Sequence, residues 1–169
     1  LGVRFANGNG SNQIEYAKAF KESGYEVCLF CDSDVAAVND SKPALLEIGI
    51  NIVDCELNKS IENHLFEDLP WNGIKSLLEY RISEKGEENV SDSIKSKYSG
   101  IFPTDWINQD TDLMRKAIYD ASVTKKNEWF KRTDHGEKLG DISCANTEEM
   151  KGKKLDLILS KLSNWIDNA

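Results

Sequence analysis

The sequence predicts a mixed α/β fold: a small parallel sheet with flanking helices, prolonged by a C-terminal helical extension. Two apolar runs, at residues 25–31 and 50–53, are separated by a segment of helical character, the pattern of parallel strands joined by a crossover. From residue 71 onward apolar side chains recur at three and four spacing, with few strand signals. The first of the two runs, Val27-Cys28-Leu29-Phe30, leads directly into Asp32-Ser33-Asp34, which places two carboxylates where a buried strand ends.

Taken in order, residues 1–6 are a short apolar strand candidate, and Asn7-Gly8-Asn9-Gly10-Ser11 is a turn cluster ending in a helix cap. Ile14, Ala17 and Phe20 give helical spacing up to Ser23, and Gly24 supplies the stop. The second strand follows at 25–31. Ser41-Lys42-Pro43 starts a helix through Leu45, Leu46 and Ile48; Gly49 ends it and residues 50–53 form a third strand. Residues 60–66 read as a short capped helix, and Pro70 breaks the chain before a helix over 71–82. Further helices are expected over 87–98, 109–123 and 153–165. The stretch Trp129-Phe130-Lys131-Arg132-Thr133-Asp134-His135-Gly136 does not fit one apolar face and is the exception to helical order. The expected division is residues 1–70 as the α/β core and 71–169 as the helical extension that completes it.

The chain has 169 residues, enough for one domain with a real core. It opens on Leu1 inside an apolar stretch and reads as a piece of something longer. No run is long enough to cross a bilayer, so no membrane partner is expected. Cys28, Cys31, Cys55 and Cys144 include a Cys-x-x-Cys, but strand alternation points its two members in opposite directions. Without a second ligand pair these read as reduced thiols of a cytoplasmic protein rather than a zinc site. A net charge of −8 is unfavourable for a nucleic-acid partner, since phosphate neutralisation needs lysine and arginine. The charge is uneven, however: Lys125, Lys126, Lys131, Arg132 and Lys138 form a basic island among Glu128, Asp134 and Glu137.

Side chains at i and i+2 of extended backbone point the same way, so Asp32 and Asp34 can converge on one point. Two like charges that close call for a cation, and hard oxygen ligands suit Mg²⁺ or Mn²⁺. The competing reading is that Asp32 caps the following helix while Asp34 is solvated. Glu62, in a helix start just past the third strand, offers a third carboxylate; alone it reads equally as a first-turn acid favoured by the helix dipole. Phosphodiester chemistry also wants a cation for developing charge, with Lys126, Lys131 and Lys138 as candidates.

The order of Gly8-Asn9-Gly10, the Cys31-Asp32-Ser33-Asp34 strand end, Gly49-Ile50, Ser60-Ile61-Glu62-Asn63-His64-Leu65-Phe66 and Asp68-Leu69-Pro70 resembles the Toprim nuclease half of the overcoming-lysogenization-defect family. Lys126-Asn127-Glu128-Trp129-Phe130-Lys131-Arg132 and Gly136-Glu137-Lys138-Leu139-Gly140 are similar to that family's helical tail. The resemblance implies a Toprim-like Rossmannoid sheet and a Mg²⁺-dependent (or Mn²⁺-dependent) DNA endonuclease. It makes Asp32, Asp34 and Glu62 the metal-site acids and Lys131 the charge stabiliser. It also implies an ABC-type ATPase as partner, assembly as a homo-oligomer, and a setting like Gabija-like or retron-associated anti-phage systems. The family's pattern begins with a glutamate that would lie upstream of Leu1. ATP is expected only through an N-terminal ATPase region, because Gly8-Asn9-Gly10 lacks the length, lysine and hydroxyl of a phosphate loop.

Two other classes stay open. An apolar strand followed by Asp-x-Asp and Val also resembles the start of haloacid-dehalogenase-like phosphatases, with Asp32 as nucleophile and Asp34 as acid. That scheme lacks its downstream strands here, since the second half is helical and no apolar strand precedes Asp134 or Asp141. The third class is a non-catalytic assembly platform with an acidic surface.

Overall fold

The computed structural model describes residues 2–8, 10–125 and 127–169. Two four-residue strands, β1 (Cys28–Cys31) and β2 (Asn51–Asp54), pair in parallel with Cys28 opposite Asn51 and Cys31 opposite Asp54. Helix α1 (Gln13–Glu22) precedes β1, and α2 (Ala36–Glu47) makes the crossover between the strands. The remaining helices are α3 (Ile61–Asp68), α4 (Trp71–Lys85), α5 (Glu87–Lys95), α6 (Asp112–Ser122), α7 (Thr133–Ala145), α8 (Thr147–Met150) and α9 (Lys154–Asn168). The fold is therefore mixed α/β and mostly helical, with a small parallel sheet. Among the described residues no helix is long and apolar enough to cross a membrane.

The chain divides into two compact units, residues 1–61 with 154–169 and residues 62–153. The last helix, α9, belongs to the first of these and packs on β2. In the first unit both faces of the sheet are covered, as parallel strands require. Leu29, Cys31 and Ile52 pack with Ala17, Val38, Leu45 and Ile50 on one side. Val53, Cys55 and Ile158 pack with Cys28, Ile61 and Leu162 on the other. Cys28 and Cys31 accordingly face opposite sides of the sheet, as alternation predicts.

Gly24 and Gly49 end α1 and α2 as expected. At Gly49 φ is 77°, and the Ile50 and Gly49 amides return to the carbonyls of Leu45 and Leu46, both at 3.0 Å. This closes the last turn with a residue that pays no Cβ penalty in the left-handed region.

Two expectations need correction. The strand over residues 1–6 does not form among the described residues 2–6, and Leu1 lies outside them. Val3 and Phe5, the latter 83% exposed, find no apolar surface to cover, and extended backbone without a partner strand keeps its polar groups in water. The helix expected from Ser41 starts five residues earlier, at Ala36, with Pro43 inside it. Val38 and Leu45 are both buried at a seven-residue spacing, and that shared face carries the helix through the proline.

In the second unit α4 buries Ile74, Leu77, Leu78 and Arg81, and packs on α5 and α7. Helix α6 is capped by Thr111, whose hydroxyl accepts from the Met114 amide at 3.2 Å. Arg115 on α6 donates to the carbonyls of Phe66 and Leu69 at 2.9 and 3.0 Å, satisfying the end of α3. The irregular stretch at 129–136 resolves in part: Trp129 is core, 1% exposed, and α7 starts at Thr133.

Candidate functional site

Beyond Cys31 the chain keeps its alternation for three more residues. Ser33 turns inward and is 1% exposed, while Asp32 is half-buried and Asp34 exposed. Every hydrogen-bonding group of Ser33 is engaged. Its amide donates to the Lys59 carbonyl at 2.9 Å, and its carbonyl accepts from the Asn58 amide at 2.9 Å and Asn39 Nδ2 at 2.8 Å. Its hydroxyl donates to the Cys55 carbonyl at 2.7 Å and accepts from Lys42 Nζ at 2.8 Å. Lys42 spends its other two donors on Asn39 Oδ1 at 2.6 Å and Asp54 Oδ2 at 2.8 Å. The residue between the two aspartates is thus fixed from five directions.

Asp32 and Asp34 both line an open cleft of about 530 Å³ at the carboxyl end of β1, with Gln13, Phe30, Val38 and Ile61. The two residues of the Asp-x-Asp pair thus border one space. Capping is also real, but of another helix. Asp32 Oδ1 accepts from the Ile61 amide, the first of α3, at 2.8 Å, while the N-cap of α2 is Val35 without a side-chain bond.

Glu62 and Lys131 belong to the second unit. Glu62 is a first-turn acid of α3, as expected, yet it is 5% exposed rather than solvated. Its Oε1 lies 3.7 Å from Lys131 Nζ, and its Oε2 is buried without a hydrogen-bond partner. Lys138 is exposed on α7, and Lys126 lies outside the described residues. Among the described residues no group of three or more His, Cys, Asp or Glu side chains is arranged to hold a metal ion. The first unit instead offers a pair of hard oxygen donors on an open cleft. That suits Mg²⁺, which dehydrates reluctantly and is commonly held by one or two carboxylates with water completing the shell. In the second unit the orphaned Glu62 oxygen is the kind of atom a cation satisfies.

The residues missed in the sequence are Ser33, Lys42 and Asp54. Lys42 carries the signal that could have revealed it: it falls four residues after Val38 and three before Leu45, on the buried stripe of α2, where a lysine must find partners. Burial pushes the Cys31 thiol up to about 11, against the lowering effect of Lys42 and with help from the Asp54 and Asp32 carboxylates, so it stays protonated beside the cleft. Compared with family models, curated proteins and solved structures, the chain matches none.

Proposed function

We propose that this chain carries the metal-binding carboxylates of a Mg²⁺- or Mn²⁺-dependent endonuclease that hydrolyses DNA phosphodiesters, in the manner of the Toprim half of the overcoming-lysogenization-defect family. An ABC-type ATPase partner, a homo-oligomeric assembly and a cytoplasmic role in anti-phage defence belong to the same proposal. The observation that carries it is the pair Asp32 and Asp34 on one open cleft at a parallel strand's carboxyl end, with Ser33 locked between them.

Asp32 and Asp34 would hold the divalent ion, which when bound supplies Lewis acidity toward a phosphoryl oxygen and a more acidic water. Asp32 is orientated by the Ile61 amide, so one carboxylate is placed before any ligand arrives. Asp34 is solvent-facing and reaches the cleft from the outer side. Phe30, Val38 and Ile61 give the cleft apolar walls, which strengthen electrostatics inside it. In the proposal Glu62 is a further acid and Lys131 the cation for charge developing on the phosphate. Lys131 suits that role because its ammonium is more than half exposed and its partnership with Glu62, at 3.7 Å, is an ion pair without a close hydrogen bond.

The test is cleavage of supercoiled plasmid with Mg²⁺ or Mn²⁺, by the chain and by an ATPase-bearing parent, beside turnover of a generic phosphomonoester. Nicking or linearisation that falls by about a hundredfold or more in Asp34→Ala supports the reading. Monoester turnover without DNA cleavage would transfer the same two aspartates to the phosphatase class. Silence in both assays would leave an assembly platform.

A further inference from the structure

The second unit holds a buried cation that the nuclease reading does not use. Arg81 on α4 is 4% exposed, and its guanidinium lies over the Trp129 ring at 5.7 Å. Among the described residues its two hydrogen bonds are both long, at 3.5 Å, to Glu84 Oε2 and to Asn127 Oδ1. A guanidinium has five N–H donors, and one buried this deeply normally spends them on short, often bidentate contacts. Arg81 also lines a cleft of about 180 Å³, shared with Lys85, Asn89, Ser93, Asn127 and Trp129. Besides Val90 and Trp129 the lining contains two cations, two amides and a hydroxyl, and no carboxylate.

The shared carboxylate points the same way. Glu84 is the carboxylate beside Arg81, and its Oε1 also lies 3.2 Å from His135 Nε2 and 3.9 Å from Arg132. Arg81 therefore does not have Glu84 to itself, and Lys85 adds a second cation to the cleft. A guanidinium buried this deeply on long hydrogen bonds is costly unless an anion joins it. The donors present are those that recognise a tetrahedral oxyanion: a planar fork, a point charge, and neutral amide and hydroxyl groups.

We propose that this cleft between α4, α5 and the Asn127–Trp129 segment binds a phosphate group, with Arg81 as its fork and Lys85 as its lip. Trp129 holds the guanidinium flat from below, and Asn89, Ser93 and Asn127 supply the uncharged contacts. The site is independent of Asp32 and Asp34, and needs no divalent ion.

The full chain, isotopically labelled and freed of metal by a chelator, is titrated with inorganic phosphate and separately with a short DNA oligonucleotide. The Trp129 indole and the Lys85 and Ser93 amides report by NMR. Saturable shifts at these positions are expected. Lys85→Glu and Ser93→Asp, both on the rim rather than in the core, should each weaken binding by about tenfold. Lys116→Glu, an equal charge change at an exposed position of α6, should alter it by less than about twofold. No saturable shift with either probe would overturn the proposal, as would equal weakening by Lys85→Glu and Lys116→Glu. Tighter, salt-dependent binding of the oligonucleotide assigns the phosphate to a nucleic-acid backbone, and equal affinities assign it to a small phosphorylated molecule. Because the titration excludes metal, its failure leaves the plasmid-cleavage test of the nuclease reading standing.

Discussion

In the first unit the buried Ser33 has its amide, carbonyl and hydroxyl all engaged, and the Lys42 ammonium beside it makes three bonds of 2.6 to 2.8 Å. In the second unit the buried Arg81 makes two bonds at 3.5 Å, while His135 Nδ1 and Glu62 Oε2 are buried with none. Buried polar groups are normally satisfied, and those that are not call for an explanation. A saturated hub is what a fold uses to hold something else still, here the two aspartates on either side of Ser33. Unspent donors and acceptors are what a fold keeps for a ligand. On the two proposals above the units divide the work: one preorganises a carboxylate pair and the other binds a phosphate group.

The largest way to break that comparison is to remove each cation. Lys42→Met strips the Ser33 hydroxyl, Asn39 and the Asp54 carboxylate of their shared donor and should cost about 2 to 3 kcal/mol. Arg81→Met should cost about 1 kcal/mol or less, because its hydrogen bonds are long and Glu84 keeps Arg132 and His135. Urea unfolding of the two variants gives both values. A reversed order would mean that Arg81, not Lys42, is the structural cation, and the division of roles would fail.

Why the aspartate loop was visible in the sequence and both of these cations were not follows from their positions. The Asp32-Ser33-Asp34 loop was legible because alternation is a local property of backbone: once residues 27–30 are a strand, the facing of 32 and 34 is set. Lys42 was hidden because Ser41-Lys42-Pro43 reads as a helix start, which sets the residue in a first turn and not on a stripe that begins at Val38. Helix stops at Gly24 and Gly49 were legible for the same local reason. The N-terminal strand was not, since whether Val3 and Phe5 form one depends on a neighbouring edge that sequence does not show. The pairing of Glu62 with Lys131 spans 69 positions, and nothing in local pattern reports it. The Arg81 cleft has the same character: α4, α5 and the 127–129 segment meet only in three dimensions.

A smaller effect separates the two aspartates. Asp32 accepts from the first amide of α3, so Asp32→Ala should lose about 1 kcal/mol of stability as well as activity. Asp34→Ala, exposed and without a structural bond among those described, should stay within about 0.5 kcal/mol of the parent while losing activity. Thermal unfolding of the pair beside the plasmid assay checks this. Equal destabilisation would place Asp34 in the structural hub and weaken its case as a ligand.

Alkaline pH probes the sheet side of the comparison. The Cys31 thiol is raised from 9.0 to about 11, chiefly by burial, so the folded state holds its proton longer than the unfolded chain does. That contribution is fully present below pH 9.0 and is lost as pH rises through about 11, giving a falling alkaline limb that Cys31→Ala should flatten. Thiol labelling at mildly alkaline pH should reach exposed Cys144 well before buried Cys31.

The smallest effect lies at the acid end, where the last helix meets the sheet. Glu56, in the loop after β2, is bonded by Lys154 at the start of α9 and by Lys59, at 2.8 and 3.1 Å. The Lys154 hydrogen bond, then that of Lys59, holds its carboxyl down from 4.5 to about 2. A carboxyl whose folded value lies below its unfolded one stabilises the fold above pH 4.5 and loses that contribution as pH falls through about 2. Glu56→Gln should therefore lower the urea midpoint at about pH 6, and the gap from the parent should narrow by about pH 3. Because the carboxylate is solvated, added salt should shrink the difference further. A gap that ignores both pH and salt would mean that α9 is held on the sheet by Ile158 and Leu162 alone, with the ion pairs following the packing rather than contributing to it.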